Sequence, residues 1–399
     1  MSQPATLPLP GPAAPSEAAA RPRVLAIDVV RGLAMILMAI DHIREFWCAT
    51  PVRPEDVAQA PAALFLTRWV THFCAPTFVF LAGVSIFLYQ QKQPSRSAVS
   101  RFLLTRGLWL VMLELVVINF LLQWGYPLLV LEVIWVLGWS MVLLAGAIWL
   151  PRWLLASLAL VFLFGQHLLP TIQPVDTRHL GGALLYDSPF LVALHPVPVL
   201  AAYTILPWAA VMAAGYVAGP WFWAAPARRT RWLGLAGGAA LLFFAGLRAT
   251  NWYGDPSPWS VQPRGAGYTL LSFLNVTKYP PSLLFLGLTL GGALVLLAVA
   301  GRLPSRLSSW LSTYGRVPLF YFVLHFMLIS GGAYAWTRLA FGHAINLSFA
   351  AVKDWPSAYH PSLPRLYVVW VCVVAIMYWP CRWYQGYKQR HSYWWLSYL

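Results

Sequence analysis

The sequence predicts an all-α, polytopic membrane protein, a bundle of about ten transmembrane helices with both termini cytoplasmic. Three observations carry this. Of the 399 residues, 59% are hydrophobic and 10% charged, at a mean hydropathy of +0.63, whereas a soluble domain carries about 25% charged residues. Apolar windows of about 20 residues recur along the chain, near 24–48, 63–89, 103–122, 127–149, 151–170, 198–219, 232–250, 281–300, 317–340 and 365–384. Basic residues gather between alternate spans, for example Arg96, Arg101, Arg106, Arg228, Arg229 and Arg231. The connections opposite them, at 171–197, 251–280 and 341–364, are longer yet hold fewer. The positive-inside rule then puts both termini in the cytoplasm, and it accounts for the net charge of +15 without a nucleic-acid partner.

Residues 1–22 are rich in Pro and Ala and lack a hydrophobic core, so they read as a disordered tail before a single domain over 23–399. Cys48, Cys74, Cys372 and Cys381 form no CxxC or Cys/His cluster, so neither a disulfide framework nor a metal site is expected. Walker A, HExxH and GxSxG patterns are absent as well.

The first span, RVLAIDVVRGLAMILMAIDHIREFWC (23–48), carries Asp28, Arg31, Asp41 and His42. Asp or Arg at the bilayer centre costs roughly 2.5–3.5 kcal/mol, so such residues usually mark a site. At about 100° per residue, Asp28, Arg31 and His42 share one helix face and Asp41 lies toward its edge. Asp28 and Arg31 fall near one membrane surface and His42 near the other, roughly 21 Å further along the axis. An i,i+3 ion pair with Arg31 snorkelling is the plain alternative for the first two.

His72 in the second span is expected at a depth similar to that of His42. A His beside a carboxylate suits a general base, and Asp41, which cannot face its own neighbour His42, is expected to orient His72. A packing role for either imidazole is the competing reading. Glu114 and Glu132 are intramembrane acids expected to face the bundle interior, and Asn119 an interhelical hydrogen bond. Lys278, with Tyr279 beside it, precedes Pro280 and Pro281 at a span entrance where an ammonium would meet a substrate anion or snorkel. Arg316 sits at the cytoplasmic edge of a later span, as a topology anchor or a phosphate ligand, with His325 about 13 Å inside it.

Taken together, AIDVVRGLAMILMAIDH (26–42), THFCAPTFVFLAGVS (71–85), NVTKYPPSLLF (275–285), GRVPLFYFVLH (315–325) and CRWY (381–384) resemble the heparan-α-glucosaminide N-acetyltransferase-like transmembrane acyltransferases, in the same order and over nearly the whole chain from about residue 22. The resemblance implies a bacterial inner-membrane enzyme that takes an acetyl or similar group from cytoplasmic acetyl-CoA. It delivers that group to an amine or hydroxyl of an envelope sugar or glycolipid. His42 or His72 would be the base, supported by Asp41 or Asp28. Arg31, Arg316 and His325 would serve acyl-CoA, and Lys278, Tyr279, Glu114 and Glu132 the acceptor. The chain departs from the eukaryotic pattern in one respect: residues 49–68, between the first two spans, contain no His. In the eukaryotic enzyme the positions matching 42 and 72 are Asn and Asp. A transporter or flippase for a sugar or anionic solute is the alternative class, and a homodimer is left open.

Overall fold

A computed structural model of the protein describes residues 24–169, 180–187, 190–192 and 197–397. The expected N-terminal tail and part of the 171–197 loop lie outside them. The chain runs α1 (Leu25–Trp47), α2 (Ala62–Thr71), α3 (Cys74–Gln90), α4 (Arg96–Leu113), a widened π-type turn (Glu114–Ile118), α5 (Asn119–Gln123), β1 (Leu129–Leu131), α6 (Val133–Ala147), α7 (Arg152–Gly165), α8 (Leu180–Leu185), β2 (Phe190–Val192), β3 (Val199–Ala201), α9 (Ile205–Trp223), α10 (Pro226–Thr250), α11 (Ala266–Leu274), α12 (Leu283–Val299), α13 (Ser305–Gly315), α14 (Pro318–Phe341) and α15 (Leu363–Arg390).

The fold is mostly helical, and among the described residues seven helices are long and apolar enough to cross a membrane. Two shorter apolar helices, Val133–Ala147 and Arg152–Leu168, accompany them. The helix α1 has 23 residues, but its charged groups set it apart from those seven. Outward faces are apolar, as at Leu242, Val368 and Trp379, which is the surface a lipid environment favours.

Two stretches read as helical ends of spans, 127–132 and 198–201, are not helical. Instead β1 pairs in parallel with β3, and β3 pairs antiparallel with β2, in the order β1-β3-β2. Short apolar runs suit a buried strand as well as a helix, and here the strands satisfy each other's backbone groups. Asn119 serves the same purpose. It exchanges hydrogen bonds with the Val130 backbone at 2.7 and 3.0 Å and donates to the Glu114 carbonyl at 2.9 Å, so it ties a strand to the widened turn and is no helix-to-helix bond.

The second expected span is broken at His72 and Phe73, between α2 and α3. Pro76 supplies the reason: it has no N–H to offer the His72 carbonyl, while a proline in the first turn of α3 is well tolerated. His72 therefore stands at a corner.

At the centre, α1 packs against α2, α3, α12, α13, α14 and α15. It meets α13 backbone to backbone. A Cβ added at Gly32 would land on the Leu311 carbonyl, and one at Gly315 on the Asp28 carbonyl. Gly83 on α3 and Gly215 on α9 allow a second such approach, as small residues do between membrane helices. The Trp47 indole donates to the Ile329 carbonyl at 2.9 Å and the Trp370 indole to the Ile36 carbonyl at 2.8 Å, fixing α14 and α15 against α1.

Candidate active site

The last two turns of α1 present Asp41, His42, Arg44 and Glu45. Residues three and four apart on a helix are neighbours, and Arg44 accordingly pairs with Asp41 at 3.1 Å and with adjacent Glu45 at 3.0 Å. From α2, Arg68 reaches Asp41 at 2.9 Å and Glu55 at 3.0 Å. Lys278 lies 3.9 Å from the same Asp41. Asp41 is therefore the hub of a charge network. It binds two guanidiniums and an ammonium, and it does not orient His72.

Two cavities adjoin here, both lined by Glu45, Lys278 and Tyr279. The inner one, about 50 Å³, is lined by Asp41, His42, Glu45, Thr71, Cys74, Glu132 and Tyr203 among others, enough for one or two waters. The outer one, about 580 Å³, is lined by Arg44, Arg53, Glu55, Arg68, His72, Asn275 and Thr277 among others, a volume that suits a sugar-sized ligand.

The two expected histidines belong to different cavities. The His42 ring lies 4.2 Å from Phe326 and 5.2 Å from His325, and its Nδ1 is 3.9 Å from Glu45 and without a hydrogen-bond partner among the described residues. His72 packs edge-on against Phe285 at 5.5 Å, and among the described residues neither of its ring nitrogens has a hydrogen-bond partner. His325 is fully buried, with Nδ1 donating to the Tyr321 and Phe322 carbonyls. It thus stands beside His42, far from the arginines with which it was grouped.

Lys278 and Tyr279 are held by a buried polar frame. The Asp255 carboxylate accepts from the Thr277 N–H at 2.8 Å, the Thr277 hydroxyl at 3.0 Å and the Ser282 hydroxyl at 2.6 Å. Arg248, 1% exposed, donates to the carbonyls of Ser257, Ser272, Phe273 and Asn275. Ser282 also caps α12 by accepting from the Phe285 N–H at 2.9 Å. Lys278 is then set 4.9 Å from the Tyr279 ring centre and 5.8 Å from that of Tyr203.

The other end of α1 holds Asp28, with Arg31 at 3.9 Å and Arg316 at 3.6 Å. Arg31 also donates to the Ser85 hydroxyl at 2.8 Å and the Gly315 carbonyl at 3.4 Å. Asp28 is some 14 residues from His42 on the same helix, roughly 21 Å, so it serves the arginines and lies out of reach of that imidazole. Glu114 is fully buried and accepts from the Glu132 N–H at 2.9 Å. It lines neither cavity, whereas Glu132 lines the inner one.

Arg44 and Glu45 were not singled out from the sequence, although their spacing to Asp41 on one helix made them legible. Arg68 and Glu55 were not legible, since only the fold brings them to α1. Burial raises the Glu55 carboxyl, but the charge and hydrogen bond of Arg68, a backbone hydrogen bond and Arg44 together outweigh this and hold it below the ordinary value of 4.5. A carboxyl lowered on folding stabilises the protein above its unfolded value, and that stabilisation is lost as pH falls through the folded one. Thermal unfolding from about pH 7 to about pH 3.5 should therefore show a smaller acid-side loss for Glu55→Gln than for wild type. Identical pH profiles would refute the pairing.

Residues 23–253 match the family model described as heparan-alpha-glucosaminide N-acetyltransferase, catalytic. Comparison with curated proteins gives no match. The matched range contains α1 to α10 and so most of both cavity walls, while Lys278, Tyr279, Arg316 and His325 lie beyond it. A match over more than half of the chain, spanning the charged helix and its cavities, makes this protein a member of the heparan-α-glucosaminide N-acetyltransferase catalytic-domain family.

Proposed function

We propose that the protein is an acetyltransferase of the bacterial inner membrane, with ten spans, both termini cytoplasmic and residues 23–399 acting as one unit. It moves an acetyl or similar group from cytoplasmic acyl-CoA to an amine or hydroxyl of an extracytoplasmic sugar or glycolipid. The observation that carries this reading is the polarity of α1. Two guanidiniums, Arg31 and Arg316, flank one end, where CoA phosphates are recognised bidentately. His42 stands toward the other end, in a small cavity that adjoins a sugar-sized one. Arg316 leaves 31% of its side chain exposed, so it is accessible to such a ligand.

In this reading the acceptor amine approaches from the outer cavity and the thioester from the Arg31 end. His42, the base, takes the proton as the amine nitrogen bonds to the acyl carbon. The carbon–sulfur bond then breaks and the CoA thiolate leaves, to be protonated as the free thiol. Glu45, 3.9 Å from Nδ1, supports the imidazolium that forms. No acyl-enzyme is invoked.

The test is consumption of acetyl-CoA by purified protein. Release of free CoA, slow alone and several-fold faster with an amino sugar, is the expected result. Intact thioester after prolonged incubation of folded protein with acceptor would overturn the proposal.

A further inference from the structure

The wall of the outer cavity is not electrically balanced. Arg44, Arg53, Arg68 and Lys278 line it against Glu45 and Glu55. Asp41 answers three of those cations, at 3.1 Å from Arg44, 2.9 Å from Arg68 and 3.9 Å from Lys278. Counting it, four cations face three carboxylates. The cation left over is Arg53, an exposed residue with no ion pair among the described residues.

A second observation points to the same place independently. His72 is 4% exposed and lines this cavity, yet both of its ring nitrogens are without hydrogen-bond partners among the described residues. Buried polar groups are nearly always paired, so two free nitrogens at a cavity wall mark where a ligand completes the pairing. Lys278 adds a buried ammonium whose partner Asp41 is shared with two arginines.

We propose that Arg53, His72 and Lys278 form an anion subsite, which holds a phosphate or carboxylate carried by the acceptor sugar. A guanidinium takes either group bidentately, an imidazole N–H adds a single bond, and the ammonium acts as a point charge. The cationic wall also favours the uncharged form of a nearby acceptor amine, which is the nucleophilic form. Calling the ligand an acceptor rests on the acyltransferase reading; the charge asymmetry does not.

The experiment is calorimetric titration of the full-length protein in detergent, without acetyl-CoA, using glucosamine, glucosamine 6-phosphate and 2-amino-2-deoxyglucuronate. At least one of the two anionic sugars should bind about tenfold more tightly than glucosamine, and which one does identifies the anion. Arg53→Ala should remove most of that ratio and Arg53→Lys should keep part of it. Equal affinities in the wild type, no binding of the anionic sugars, or a ratio that survives Arg53→Ala would overturn the subsite. Because no thioester is present, a wild type that shows the ratio but releases no CoA in the separate assay refutes the transferase reading alone. One that acetylates all three sugars with equal KM refutes the subsite alone.

Discussion

Replacing His42 with alanine is expected to lower acetyl transfer by about 10²–10⁴-fold, the usual worth of a positioned general base, while the protein still inserts and folds. The imidazole has no hydrogen-bond partner at Nδ1 among the described residues, so its loss orphans little. Its ring neighbours Phe322, Phe326 and His325 still pack against one another behind that position. His72→Ala is the internal comparison, since His72 lines the outer cavity and not the inner one. In that variant the loss should appear mainly in KM for the acceptor. CoA release measured at saturating and at limiting acceptor separates the two. Full turnover in His42→Ala would remove the base assignment, and a kcat loss confined to His72→Ala would move it.

The helix that organises the site was readable in the sequence because its charges follow the helical period. Asp28, Arg31 and His42 fall on one side, and the structure places them along a single helix from Leu25 to Trp47. What surrounds that helix was less readable. The strand β1 is an apolar triplet, and nothing in its periodicity separates it from the start of a span. The break at His72 was signalled only by Pro76, which also occurs inside unbroken membrane helices. The Asp41 network needs Arg68, 27 residues away, and Lys278 from beyond α11, and no local pattern announces contacts at that separation. His325 shows the same limit. The resemblance grouped it with Arg31 and Arg316 for acyl-CoA, but the fold sets it against His42.

Gly315→Ala is the substitution expected to damage the fold most. The added methyl would meet the Asp28 carbonyl of α1, and Gly32 across the contact is as tightly placed against Leu311. Both obstacles are backbone, so neither can turn aside as a side chain would. Overpacking of this kind costs about 1–3 kcal/mol and occasionally more, and here the strain falls on the end of α1 that carries Arg31 and meets Arg316. Arg31 donates to the Gly315 carbonyl itself at 3.4 Å. Displacing α13 should therefore lower the unfolding temperature and weaken acetyl-CoA binding together. Gly292→Ala is the control, because a Cβ there meets nothing within 4 Å. By helix propensity alone it should gain up to about 1 kcal/mol. Thermal unfolding in detergent with and without acetyl-CoA reads both effects. If Gly315→Ala unfolds with Gly292→Ala and binds acetyl-CoA equally well, then α1 and α13 are not in backbone contact, and the two guanidiniums are not held by that contact.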